Sequence, residues 1–168
     1  MIPKEPPSDR VLSELCRHYP GGDASAVETM VALLRIAGDL YAACNQHLSR
    51  YNLSQPRFLV LLVLHSNSGG EMACCDVAES VGVSRATMTG LIDGLERDGF
   101  VRRVDNLEDR RRVTVSLTAT GRGLLEELLP DHVRRVAGVM GKMSKTDRQQ
   151  LRGLLDRVRA GLPAFHAV

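Results

Sequence analysis

The residues able to do chemistry in this 168-residue chain concentrate between positions 84 and 112. Five arginines (Arg102, Arg103, Arg110, Arg111, Arg112) and three carboxylates (Asp105, Glu108, Asp109) fall within eleven consecutive residues. Just upstream, Ser84-Arg85-Ala86-Thr87-Met88-Thr89 offers an arginine and three hydroxyls at the start of a helical pattern. A guanidinium makes paired hydrogen bonds to guanine or phosphate, hydroxyls bond phosphates or base edges, and a helix N-terminus attracts anions. An arginine at the tip of a two-stranded ribbon can enter a minor groove while a carboxylate holds it in place. Each half also has a bland reading. Ser-x-x-Thr caps ordinary surface helices, and a charged hairpin is commonly just solvated. Side by side they point to double-stranded DNA, with Ser84, Arg85, Thr87, Met88, Thr89, Arg103, Asp109, Arg110 and Arg111 as the contacting set.

The surrounding pattern supplies elements to carry these residues. Residues 1–22 hold four of the seven prolines and the Gly21-Gly22 pair, an N-terminal arm with a short helix near Val11–His18. A long helix follows over Ser25–Arg50, with apolar residues at three-to-four spacing. Ser54 and Pro56 open a second helix through His65, apolar nearly all round and therefore central. A short helix over Met72–Val81, a turn at Gly82 and a helix from Ser84 to about Asp98 come next, closed by Gly99. Strand-like Phe100–Val104 and Arg112–Leu117 then flank the polar stretch 105–111. Helix, turn, helix and ribbon describe a winged helix-turn-helix over 53–121, mainly α with a small β-wing.

Beyond Gly121 the helical period returns. Leu125, Leu129, Val133, Val136, Met140 and Met143 form a stripe, and Ser144-Lys-Thr-Asp147 resembles a capping box opening a last helix. That helix carries Leu151, Leu154, Leu155, Val158 and Leu162. Residues 23–52 and 122–168 therefore read as a helical dimerisation region, the N- and C-terminal helices pairing two copies.

Composition excludes several classes. At 43% hydrophobic and 25% charged residues the chain is expected to fold rather than stay disordered. The longest apolar run, Phe58–Leu64, spans only about 10 Å as a helix, too short for a bilayer. Met1–Pro7 shows no apolar export core, and the expected location is cytoplasmic, with reduced thiols. Neither a phosphate loop, a dinucleotide-binding glycine motif, a zinc-protease motif nor a nucleophile elbow is present, so no enzyme activity and no cofactor are expected. Four cysteines (16, 44, 74, 75) and five histidines lack metal-ligand spacing, and no metal is expected. The net charge of +2 hides 19 arginines against 3 lysines. Coding bias explains that preference in the terminal helices but not its concentration in one hairpin.

The order Val77-Ala78, Val83-Ser84-Arg85-Ala86-Thr87-Met88-Thr89, Leu95-Glu96-Arg97-Asp98-Gly99-Phe100-Val101, Asp109-Arg110-Arg111 and Val115-Ser116-Leu117-Thr118-Ala119-Thr120-Gly121 resembles the multiple antibiotic resistance regulator (MarR) family. The resemblance covers about residues 25 to 162. It implies a homodimeric winged-helix transcription regulator on a palindromic operator, a repressor whose DNA affinity a small-molecule effector modulates. By the same resemblance Ser84 to Thr89 read the major groove, Arg111 enters the minor groove and Asp109 orients the wing. One departure is Gly90, where many members carry a larger, often basic, residue. The resemblance also implies an effector site where dimer helices meet the DNA-binding lobe; Tyr41, His47, Arg57 and His65 lie on elements able to line it. Cys16, beside Arg17 and His18, is a candidate redox thiol. The rival reading is a winged helix that binds protein partners or small molecules without DNA; retention of the Asp109/Arg111 pair and the polar helix start argues against it.

Overall fold

The computed structural model describes residues 9–19, 21–67, 70–105 and 113–165. Among these residues seven α-helices and three strands run in the order α1 (Asp9–His18), α2 (Ala24–Leu48), α3 (Gln55–Ser66), β1 (Glu71–Ala73), α4 (Cys74–Val81), α5 (Arg85–Arg97), β2 (Val101–Asp105), β3 (Val113–Leu117), α6 (Ala119–Met140) and α7 (Lys145–Gly161). The chain divides into two compact units, Met1–Gly121 and Arg122–Val168.

The first unit is a winged helix. Its core gathers Phe58, Val60, Leu61 and Leu64 from α3, Val77 and Ala78 from α4, Met88, Ile92 and Leu95 from α5, and Val101, Val115 and Leu117 from the sheet. Central placement of α3 follows from its nearly continuous apolar run. Helix α2 ends as expected near residue 50, its last turn tightening into a 3-10 turn over Ser49–Tyr51. Between α4 and α5, Gly82 sits at φ 76, a left-handed position that glycine adopts without a Cβ penalty. The Gly82 N–H donates to Ala78 O and the Val83 N–H donates to the same carbonyl at 3.0 Å, closing α4 so that α5 can start two residues later.

The structure corrects the sequence reading at the start of α4. Glu71–Ala73 form a strand rather than the first turn of a helix, and the sheet has three strands in the order β1-β3-β2, not two. β1 pairs antiparallel with β3, Met72 opposite Val115, and β2 pairs antiparallel with β3, Arg103 also opposite Val115. Three residues are too few to display a period of two. Pairing with the edge of β3 opposite β2, not local preference, makes this strand.

In the second unit Leu125 and Leu128 are buried, and Pro130 lies inside α6, where it removes one backbone donor. Helix α7 opens on the anticipated capping box. Ser144 Oγ accepts the Asp147 N–H at 3.1 Å, and an Asp147 carboxylate oxygen accepts the Ser144 N–H at 2.8 Å. Leu151, Leu154, Leu155, Val158 and Leu162 all stay more than a third exposed, as do Val133 and Val136 on α6.

Candidate nucleic-acid interface

Helix α5 presents two unlike faces. Met88, Ile92 and Leu95, spaced i, i+4 and i+7, are buried, while Arg85, Ala86, Thr87, Thr89, Gly90 and Asp93 are exposed. Met88 was expected among the DNA-contacting residues; at 1% exposure it is a core residue, and that assignment is corrected. Its spacing to Ile92 and Leu95 already placed it on the apolar stripe.

The helix start is built by Ser84. Its Oγ accepts the Thr87 N–H at 3.1 Å and lies 2.8 Å from Thr87 Oγ1. Thr89 Oγ1 donates to Arg85 O at 3.0 Å. These local bonds orient the hydroxyls along the helix and leave Arg85 as the exposed cation at its N-terminal end. The remaining unpaired N–H groups of the first turn point the same way, so this end favours an anion.

The wing grows from β2 and β3. Arg102 is exposed and Arg103 half-buried. Arg103 reaches across to α5, bonding Asp93 Oδ1 at 2.5 Å and Glu96 Oε2, while its backbone N–H donates to Glu96 Oε1 at 2.9 Å. The hydrogen bond that Arg103 donates to Asp93, ahead of that to Glu96, holds its guanidinium charged to still higher pH than usual. Arg103, expected among the DNA-contacting residues, thus has its guanidinium bonded to two carboxylates of α5. Asp109, Arg110 and Arg111, with the neighbouring Glu108 and Arg112, lie outside the described residues.

The exit from the wing explains the Leu-Thr-x-x-Gly pattern. The Thr118 N–H donates to Phe100 O at 3.1 Å, Thr118 Oγ1 donates to Gly99 O at 2.7 Å, and the Gly121 N–H donates back to Thr118 Oγ1 at 3.0 Å. A Cβ on Gly121 would lie 2.1 Å from Phe100 O, so only glycine lets α6 start this close to the end of α5.

The four residues considered for an effector have different surroundings. Tyr41 and His65 are exposed. His47 is buried, its ring edge-on to Tyr51 with centroids 5.8 Å apart. Arg57 pairs with Asp98 at the end of α5 and also donates to Asn52 O and Gly94 O, a tie between α3 and α5. Spacing hid this tie, because its ends lie 41 residues apart. All four cysteines are free thiols of intermediate exposure. Burial raises the pKa of Cys74, partly opposed by nearby Arg103. Among the described residues no cluster of three metal-ligating side chains occurs, and no helix is long and apolar enough to cross a membrane.

A buried core under a capped, cation-tipped helix, beside a β-wing of strands β2 and β3, defines a winged helix-turn-helix of the kind that binds DNA. The sequence model of the MarR family matches residues 53–113. The HTH-type transcriptional regulator TtmR of Methylorubrum extorquens is 30% identical over 162 residues, 96% of this chain and 78% of that protein. The HTH-type transcriptional repressor YetL of Bacillus subtilis is 29% identical over 162 residues, covering 96% and 97% of the two chains. Sco3205, a MarR family transcriptional regulator from Streptomyces coelicolor solved in complex with DNA, superposes with a TM-score of 0.79 at 22% identity, over 83% of this chain and 89% of that one. The chain belongs to the MarR family. It is a DNA-binding transcription regulator and not an enzyme.

Proposed function

We propose that this protein is a cytoplasmic, homodimeric repressor that binds a palindromic operator and whose DNA affinity responds to a small-molecule effector. The observation that carries the reading is the N-terminal end of α5. A helix capped by Ser84 presents Arg85, Thr87 and Thr89 outward from a rigid core. In this reading these four residues meet base edges and phosphates of the major groove. Arg110 and Arg111 at the wing turn meet the flanking minor groove, with Asp109 orienting Arg111. Residues 53–121 form the DNA-binding region, 23–52 and 122–168 the dimerisation region, and 1–22 an arm. Similarity to YetL, named a repressor, supports the regulatory sign.

Dimerisation gives an effector its leverage. Two reading helices must match half-sites about one helical turn apart, so a ligand that prefers a different lobe spacing lowers affinity by population shift. Titration of the purified protein with DNA from upstream of its own gene, at several salt concentrations, tests the reading. Tight binding that weakens steeply with salt, and exceeds binding to random duplex, is the expected result. Equal affinity for both DNAs counts against self-regulation; absence of binding to any duplex removes the DNA reading.

A further inference from the structure

Asp93 stands where a DNA-reading surface should not tolerate a carboxylate. It follows Thr89 by four residues and Gly90 by three, so it lies on their exposed side of α5 and is itself 58% exposed. A bare carboxylate facing phosphates is repelled. Here it is paired with Arg103, whose guanidinium spans both Asp93 and Glu96 and whose backbone is held by Glu96 as well. The same side chain therefore joins the reading helix to the first strand of the wing, the two parts that must meet adjacent grooves together.

Resting on the DNA-binding reading above, we propose that Arg103 is a positioning residue rather than a phosphate contact. It locks α5 to β2 at the angle the two grooves require and neutralises Asp93 on the reading face. The fork geometry is essential to the role, because a lysine ammonium cannot span two carboxylates in the same way.

The salt dependence of binding to a short random-sequence duplex separates the two roles, since each phosphate contact contributes about 0.9 to the slope of log affinity against log salt. Arg103→Ala is expected to weaken binding while leaving that slope unchanged, and Arg103→Lys, which keeps a charge, is expected to bind as poorly. Asp93→Asn combined with Glu96→Gln breaks the lock and releases Arg103, and a guanidinium freed to meet phosphate should make the slope steeper by about 1. A slope lowered by about 1 in Arg103→Ala, full affinity in Arg103→Lys, or an unchanged slope in the double variant would each overturn the proposal. Thermal unfolding of Arg103→Ala, Glu96→Gln and their combination supplies a readout without DNA. Non-additive losses support the lock, and strictly additive ones overturn it. Should the unaltered protein bind no duplex while the coupling persists, the regulator reading fails and the helix-to-wing lock stands.

Discussion

Glu96 holds Arg103 twice, accepting its backbone N–H at 2.9 Å on one carboxylate oxygen and its guanidinium on the other. The pair connects the last turn of the reading helix to the second residue after β2 begins. Because one of its bonds is to backbone, it sets the path of the strand as well as a side-chain rotamer. At the base of the wing the Thr118–Phe100 bonds join the end of β3 to the residue before β2. The described part of the wing thus leaves α5 in a fixed direction. A reading surface of this kind gains specificity from preorganisation, not from the number of its charges.

At the other end of α5, Arg85 is the cation best placed to read a base. Arg85→Ala is expected to cost about 1–3 kcal/mol of operator binding and to relax preference at a single base pair. Competition titrations with operator variants changed one pair at a time measure both quantities. An equal loss on every sequence would make Arg85 a phosphate contact instead.

Arg111 falls between β2 and β3 in the sequence, and Arg111→Ala is expected to weaken DNA binding without altering the dimer. Its loss should lower the salt slope by about 1, because a minor-groove arginine sits among phosphates. Sedimentation and salt-dependent titration check the two halves. Unchanged affinity would take the wing out of the binding surface.

The local elements were legible from residue spacing because each is decided within a few residues: the cap at Ser84, the end of α4 at Gly82 and the capping box at Ser144. The face of α5 was legible too, since Met88, Ile92 and Leu95 follow helical spacing, although Met88 was placed on the wrong side. What spacing did not disclose depends on partners far along the chain. β1 exists because β3 offers it an edge 43 residues later. The Arg57–Asp98 and Arg103–Asp93 pairs give two arginines expected at ligand or DNA carboxylate partners that their spacing did not show. A guanidinium looks the same in sequence whether it faces a carboxylate or solvent. Only the fold decides which.

Two glycines should respond oppositely to alanine. Gly121→Ala forces a Cβ into Phe100 O and is expected to destabilise by about 1–3 kcal/mol or more. Gly90→Ala meets open space on an exposed helical face and should stabilise by up to about 1 kcal/mol. Urea unfolding of both variants provides the comparison; equal effects would contradict the packing at Gly121.

The Arg57–Asp98 tie predicts a pH dependence. Hydrogen bonding from Arg57 holds the Asp98 carboxyl below its usual pKa. A carboxyl lowered in the folded state contributes stability that is fully present above its unfolded pKa, about 3.9. That contribution is lost as pH falls through the folded value. Asp98→Asn should therefore be less stable than the unaltered protein at neutral pH, and the gap should close on acidification below about pH 4. Chemical unfolding across pH follows the gap directly. A gap constant across that range would mean that the ion pair contributes nothing.

The exposed leucines of α7 carry the last prediction. Leu154 is 54% exposed and Leu155 40%, on a helix whose stripe continues through Val158 and Leu162. Contiguous apolar surface of this kind is covered in stable soluble proteins, and a two-fold pair of copies covers it economically. Leu154→Glu with Leu155→Glu places two carboxylates in that contact and should shift the protein to monomer in sedimentation. Operator affinity should fall with it, since a monomer engages one half-site and forgoes the gain from linked binding. A helix that stays folded by circular dichroism shows that the interface, not the fold, was lost. Persistence of the dimer would move the interface elsewhere, to the exposed Val133 and Val136 of α6.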